Sequence, residues 1–239
     1  MMLSEDEWQA LRLSAQVAAW ATLLCLPVGI ALAWLLARRD FPGKVFVDAL
    51  IQLPMVLPPV VPGYFLLLAL GTQGPIGGWL LETFDIRFAF DWKGAVLASA
   101  VMAFPLLVQP LRLAFRMIDA RLEQAATTLG ATPWRAFLTV TLPLALPGVI
   151  AGSVLCFSRS LGEFGATMAF VGNIPGETRT LPLAIYSYTH VPDGEAAAMR
   201  LALLSIALAF AALLASHVLT RRAERLLGYA DLRGARAEH

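Results

Sequence analysis

Residues 122–147 read LEQAATTLGATPWRAFLTVTLPLALP, and this stretch decides how the chain is organised. Apolar residues recur three and four positions apart on both sides of Gly130, as on one face of a helix. Gly130 permits an unusual backbone angle, and Pro133 suits the first turn of a new helix. The pattern predicts two short helices joined by a tight turn. The stretch lies between two membrane-length segments and so in water, either as a rigid element that enters a cleft on another protein or as a solvated loop.

The composition of the chain is that of an integral membrane protein. Its 239 residues are 58% hydrophobic and 15% charged, whereas soluble domains are about half apolar and about a quarter charged. A helix needs roughly 20 apolar residues to cross a bilayer. We therefore predict an all-α polytopic bundle that forms a single domain over residues 1–239. Its five spans lie at about residues 13–37, 49–70, 94–111, 142–171 (interrupted) and 196–219, and residues 112–141 form a "connecting segment".

The second span contains four prolines, Pro54, Pro58, Pro59 and Pro62. Proline inside a helix removes hydrogen bonds and bends the axis, which membrane helices tolerate where neighbours satisfy the freed carbonyls. We expect a kinked helix here. Freed carbonyls lining a path are the alternative, although these acceptors suit cations better than anions. Residues 71–93 are expected to form a polar connection.

Basic residues are divided unevenly between the two sides of a five-span bundle: twelve lie on the side of the connecting segment and five on the other. Lys and Arg concentrate on the cytoplasmic side of membrane proteins. The connecting segment and the C-terminus are therefore expected in the cytoplasm, and the N-terminus outside. The twelve are Arg38, Arg39, Lys44, Arg112, Arg116, Arg121, Arg135, Arg221, Arg222, Arg225, Arg233 and Arg236; the five are Arg12, Arg87, Lys93, Arg179 and Arg200.

Several classes of function are disfavoured by the residues. No glycine-rich loop is followed by Lys-Ser/Thr, as a phosphate-binding loop requires, so the chain is not expected to be an ATPase. Cys25 and Cys156 both lie inside apolar runs, which argues against a disulfide framework or a zinc site. The three histidines are scattered, and the net charge is only +1. We expect no catalysis, no metal, no cofactor in this chain and no nucleic-acid partner.

Arg159 and Glu163 are the exception to otherwise uncharged spans. A charge at membrane depth costs at least roughly 2.5 kcal/mol, so such residues usually pair or face a cavity. Their four-residue spacing places them on one helical face. Two interpretations are open: a neutralised pair that fixes a helix bend, or a pair in which Arg159 faces a translocation pathway and Glu163 positions it.

The stretch around Gly130 resembles the cytoplasmic "EAA" loop of importer permeases of the ATP-binding-cassette class. Ala125, Ala126, Gly130, Leu142 and Pro143 match its pattern at the required spacing. The glutamate position of the pattern falls on Gln124, with the carboxylate of Glu123 one residue earlier, which leaves open which of the two meets the ATPase. The resemblance implies that the coupling residues are Glu123, Gln124, Ala125, Ala126, Gly130, Ala131, Leu142 and Pro143.

A narrower resemblance covers nearly the whole chain. Residues 158–186, SRSLGEFGATMAFVGNIPGETRTLPLAIY, and residues 53–67, LPMVLPPVVPGYFLL, resemble molybdate permeases of the same class. The resemblance implies the type I importer permease fold and a homodimer in the cytoplasmic (inner) membrane that moves molybdate by alternating access. It also implies two copies of a cytoplasmic ATPase subunit, a periplasmic molybdate-binding protein and membrane lipid as partners.

Other functions remain as alternatives at this point. Tungstate and sulfate are also tetrahedral oxyanions, and sulfate permeases share a Gly-Glu-aromatic-Gly element with residues 162–165. An ATPase-independent, ion-coupled carrier would need carboxylates in several spans, and only Glu163 qualifies. A membrane scaffold would use the connecting segment for docking alone.

Overall fold

The computed structural model describes residues 3–226. Within this range the chain forms twelve α-helices, one π-helical turn at Phe137–Thr141, and no strand. The helices are α1 (Glu5–Arg38), α2 (Lys44–Val56), α3 (Val60–Leu70), α4 (Pro75–Phe84), α5 (Trp92–Met117), α6 (Ala120–Thr128), α7 (Pro133–Ala136), α8 (Leu142–Leu144), α9 (Leu146–Leu161), α10 (Gly165–Val171), α11 (Leu181–Tyr188) and α12 (Glu195–Leu226).

Three helices, α1, α5 and α12, are each long and apolar enough to cross a membrane. Two bent pairs reach the same criteria together: α2 with α3, and the segment from α7 to α8 with α9. If each bent pair is one span, the described residues contain five spans. The all-α bundle predicted from the sequence is thus confirmed.

The core of the bundle lies where α5 packs along α1 and α9. Small residues allow this close approach: Ala21, Ala98 and Ala103 are all fully buried. Helix α1 begins with a capping box, in which the Ser4 hydroxyl accepts from the Glu7 amide and the Glu7 carboxylate accepts from the Ser4 amide. Such a box satisfies two otherwise orphan amides at a helix start.

The second apolar stretch is broken rather than kinked. Helices α2 and α3 enclose a bend of 110°, with the break at residues 57–59. Pro58 forces Leu57 into an extended conformation (φ −74°, ψ 145°), which a helix cannot continue through. By contrast, Pro54 lies inside the unbroken α2. The tandem Pro58-Pro59 therefore produces a sharper change of direction than the expected kink.

Residues 71–93, expected to be a polar connection, contain the ten-residue helix α4. Pro75 occupies its first turn, where the missing amide costs nothing. Its large apolar side chains Ile76, Trp79 and Phe84 are half exposed and face away from the bundle. Tryptophan is enriched where membrane meets water, so α4 fits an interfacial helix better than a solvated loop.

The boundaries around the connecting segment also differ from those expected. Helix α5 runs six residues past its expected end at residue 111, to Met117. Next come α6, α7, the π-helical turn and α8, and a bend of 68° separates this segment from α9. The interruption expected within residues 142–171 lies at residues 162–164, between α9 and α10. The tail residues Arg233 and Arg236, used in the orientation argument, lie outside the described residues.

Candidate functional site

The turn between α6 and α7 is built around Gly130. The Gly130 amide donates to the Thr127 carbonyl and the Ala131 amide donates to the Ala126 carbonyl, both at 3.0 Å. This pairing is a Schellman motif, which requires a left-handed residue after the helix end, and Gly130 has φ +90°. Thr132 then caps the start of α7, and its hydroxyl accepts from the Arg135 amide. The predicted pair of short helices with a tight turn is confirmed.

The tip of this turn is exposed. Leu129 is 89% exposed and Trp134 is 69% exposed, although both are large and apolar. Gln124, Ala125 and Gly130 are exposed as well. Exposed apolar residues grouped on a surface mark sites of contact with other proteins. The apolar periodicity around Gly130 does not by itself show that nothing in the described chain covers Leu129.

Glu123 points inward rather than toward the tip. Its Oε1 accepts a hydrogen bond of 2.7 Å from the Thr141 hydroxyl and one of 3.2 Å from Arg38, with which it forms an ion pair. These contacts tie α6 both to the end of α1 and to the π-helical turn. Within the described chain Glu123 is therefore a brace, and the neighbouring Gln124 is the side chain left free to face outward.

Replacing Glu123 with alanine is expected to loosen α6. A hydrogen bond to a charged group contributes about 1.5–3 kcal/mol, so hydrogen exchange of the α6 amides should quicken by roughly tenfold or more. Gln124→Ala is the matched control, because its exposed side chain makes no hydrogen bond among the described residues. Equal exchange rates in both variants would contradict the bracing role.

The last two residues expected to couple to the ATPase lie immediately after the connecting segment. Leu142 and Pro143 form the short α8 and are half buried. They follow the π-helical turn, in which Thr141 is fully buried. Such turns are rare and often accompany functional sites. This short stretch connects α7 to α9 along the chain.

Arg159 and Glu163 meet at the other end of α9. Arg159 Nη1 lies 2.7 Å from Glu163 Oε2, and the side chains are 30% and 1% exposed. Glu163 Oε1 accepts a hydrogen bond of 2.8 Å from the Ala166 amide at the start of α10. Both carboxylate oxygens of Glu163 are thus engaged inside the protein, while Arg159 keeps a partly open side. The four-residue pairing expected from the sequence is present across the interruption.

The two helix breaks touch each other beside this pair. A Cβ on Gly165 would lie 2.8 Å from the Pro59 Cβ, and one on Gly63 would lie 2.5 Å from the Ala166 carbonyl oxygen. Helix α10 accordingly packs along α3. Discontinuous helices that meet inside a membrane are common at transporter substrate sites, where ends of half-helices and freed backbone groups line a cavity. Arg159, through its pair with Glu163, lies beside this meeting of two helix breaks.

Charged contacts mark both ends of the bundle. The pairs Arg38–Glu123, Lys44–Asp40 and Arg112–Asp48 lie at the end that carries the connecting segment. The hydrogen bond from Lys44 holds the pKa of the exposed Asp40 carboxyl below its usual value. Arg200 pairs with the buried Glu7 at 2.7 Å at the opposite end, where α1 begins.

Comparison with known proteins places this geometry in a family. Residues 26–225 match the family model "Binding-protein-dependent transport system inner membrane component". The chain is 58% identical over 221 residues to the molybdenum transport system permease protein ModB of Escherichia coli (strain K12), covering 92% of this chain and 96% of that one. It is 54% identical over 226 residues to ModB of Haemophilus influenzae, covering 95% and 99%. The sulfate transport system permease protein CysT of Escherichia coli is 37% identical over 204 residues, covering 84% and 72%.

Two solved ABC transporters share this fold. A bacterial ABC transporter for the acidic polysaccharide alginate aligns with a TM-score of 0.70 at 18% identity, covering 92% of this chain and 80% of that one. The MetNI methionine ABC transporter aligns with a TM-score of 0.65 at 17% identity, covering 91% and 94%. These likenesses confirm the type I importer permease fold that the sequence predicts. With most of its length matched, the chain belongs to the family of binding-protein-dependent transport system inner membrane components.

Proposed function

We propose that this chain is the permease subunit of an ATP-driven importer that carries molybdate across the cytoplasmic membrane. The observation that carries the proposal is the 58% identity to the molybdenum permease ModB, which spans 92% of this chain. The more distant sulfate permease, at 37% identity, makes sulfate the second candidate substrate. Tungstate, with the same shape and charge as molybdate, is expected to use the same path.

The chain acts as a translocation subunit, and a separate cytoplasmic ATPase subunit supplies the energy. The connecting segment is the docking element, since Leu129, Gly130 and Trp134 project from it unburied. Gln124, Ala125, Ala126 and Ala131 form the contact surface. Glu123 ties the segment to α1 and to the π-helical turn, and Leu142 and Pro143 connect it to α9. One chain offers one such element, so two chains in a homodimer serve two ATPase copies.

Substrate enters from the end of the bundle opposite to the connecting segment. The proposed orientation places that end outside, where a periplasmic molybdate-binding protein delivers the oxyanion. Arg159, with its open side and its buried partner Glu163, supplies positive charge along the path. ATP-driven closure of the ATPases moves the paired connecting segments, and the helices then rock about the central path as rigid bodies.

The proposal is tested by reconstitution. The permease, the ATPase subunit and the molybdate-binding protein of the same source are placed in lipid vesicles, and uptake of molybdate is measured with and without ATP. We expect uptake that requires all three proteins and ATP, and that excess tungstate suppresses more strongly than excess sulfate. Uptake that continues without the ATPase would indicate an ion-coupled carrier, and stronger competition by sulfate would identify a sulfate permease.

A further inference from the structure

A row of four polar side chains joins α2 to α5 near the connecting segment. Arg112 donates a 2.6 Å hydrogen bond to Asp48, and Gln52 donates to the same carboxylate oxygen at 3.2 Å. Gln109 then donates to the Gln52 side-chain oxygen at 3.4 Å. We call Asp48, Gln52, Gln109 and Arg112 the polar ladder. Its antiparallel order, with 48 opposite 112 and 52 opposite 109, runs from the end of α5 toward the middle of the bundle.

The inner end of the ladder lies within the third predicted span, residues 94–111. Gln109 precedes the last residue of α5, Met117, by eight positions, which corresponds to roughly 12 Å at 1.5 Å per residue. Water cannot satisfy an amide that faces hydrocarbon, and such an unsatisfied group is costly. Polar side chains at this depth therefore face the interior of a bundle or a water-filled cavity.

Gln109 stands on the one uncovered strip of an otherwise enclosed helix. Between residues 94 and 115 of α5, all of which the structure describes, only Gln109 and Leu113 are exposed. Arg116, one turn further along the same face, is exposed as well. The strip thus opens progressively toward the end of the bundle that carries the connecting segment. The contact with Gln52 uses only one of the two N–H groups of this amide, and the Gln109 side chain remains exposed.

The charges of the polar ladder are suited to an oxyanion that passes along it rather than one that is bound tightly. Asp48 holds the Arg112 guanidinium at 2.6 Å, and their side chains are only 28% and 18% exposed, so the pair contributes little net charge. The amide of Gln109 offers neutral hydrogen-bond donors instead. Conduction requires a site that an ion enters readily and also leaves. The neutral amide of Gln109, next to an Arg112 whose charge is balanced by Asp48, meets that requirement for an oxyanion better than an unpaired cation would.

We propose that the polar ladder lines the cytoplasmic half of the oxyanion path, with the Gln109 amide donating a hydrogen bond to the passing anion. The inference rests on the importer function proposed above and adds to Arg159 a second path residue, at the opposite end of the pathway. The face that carries Gln109 and Leu113 then borders water between the two chains of the homodimer rather than lipid.

Cysteine labelling tests the placement directly in the reconstituted complex. Cys25 and Cys156 are the only cysteines of the chain and are replaced with alanine, after which Gln109→Cys is introduced. A cationic, membrane-impermeant methanethiosulfonate added from the cytoplasmic side should react with it at least about tenfold faster than with a cysteine at Leu203, because thiols ionise only in contact with water. Leu203 is 59% exposed on α12 and serves as the control for an exposed apolar position outside the strip. Saturating molybdate should slow the reaction at position 109 by about threefold or more, as expected for a shared site.

Each other labelling result overturns the proposal. Reaction only with a lipid-soluble reagent would place Gln109 in the bilayer, and no reaction with either reagent would place it in a closed contact between chains. A reaction rate that molybdate does not change would show that water reaches position 109 but that the anion does not bind there. The importer function is assessed separately, by molybdate uptake through the wild-type complex. A complex that does not carry molybdate can therefore still show whether water reaches the Gln109 strip.

Transport by substituted chains provides the second measurement. Gln109→Leu keeps the bulk and removes the donors, and should lower the maximal molybdate uptake rate about tenfold, the effect of one lost hydrogen bond. Gln109→Asn should retain most of the uptake. Leu113→Ala, one turn away on the same strip, is the matched control and should change uptake by less than about twofold. Equal uptake by the leucine and asparagine variants would rule out donation to the anion.

Discussion

Gly130→Asp is expected to reduce ATP-driven uptake by about 100-fold or more while the protein still reaches the membrane in normal amount. A Cβ at Gly130 would meet no atom of the described residues within 4 Å, so the substitution creates no clash with them. The carboxylate would instead project from the tip of the connecting segment into the proposed contact with the ATPase. Removing an unpaired charge from water costs several kcal/mol, and each 1.4 kcal/mol corresponds to a tenfold effect. The measurement is uptake into vesicles together with the amount of ATPase that co-purifies.

Two controls separate docking from backbone strain. Gly43→Asp introduces the same side chain at a glycine with nearly the same angle (φ +87°) and equally open surroundings, but in the loop before α2. Gly130→Asn keeps the size and the tolerance for left-handed angles but adds no charge. We expect near-normal uptake from Gly43→Asp and intermediate uptake from Gly130→Asn. Normal uptake by Gly130→Asp would remove the basis for placing the ATPase contact at this turn.

The sequence predicts the parts of this fold that depend on local chemistry. The turn at Gly130 follows from which residues suit its backbone positions. The pairing of Arg159 with Glu163 follows from helical spacing alone. Each of these features involves residues at most six positions apart, so no knowledge of the tertiary arrangement is needed.

Other features depend on contacts between distant parts of the chain. Glu123 is a brace because Arg38 reaches it from 85 positions away, and no local pattern indicates that partner. The tandem prolines at 58 and 59 predict a bend. Its angle of 110° depends also on the packing of α3 against α10, which the local sequence does not indicate. Helix α4 was missed because its glycines resemble a loop while its apolar residues face away from the bundle. Gln109 becomes informative only once the covered faces of α5 are known.

Arg159→Ala is expected to abolish molybdate uptake, by about 100-fold or more, and to lower the amount of folded protein more modestly. Breaking a buried ion pair by removing one partner costs about 3–5 kcal/mol, chiefly because the other charge remains unpaired. Glu163 is that remaining charge, with only 1% of its side chain exposed. Loss of uptake in this variant alone would therefore fit either a structural pair or a residue of the pathway.

The double variant Arg159→Ala/Glu163→Gln separates these two roles of the pair. A glutamine at 163 carries no charge to leave unpaired, and its oxygen can still accept the 2.8 Å hydrogen bond from the Ala166 amide that begins α10. The double variant should regain the wild-type amount in the membrane and the wild-type thermal stability, because no buried charge is left uncompensated. If Arg159 attracts the oxyanion, uptake should stay about 100-fold low, since the positive charge on the open side of the pair is still missing. Recovery of uptake together with stability would instead show that the pair only fixes the junction of α9 and α10, and the pathway would then have to draw its positive charge from other residues.

Arg159→Lys, which keeps the charge but loses the planar fork, should fall between wild type and the double variant in uptake while remaining folded.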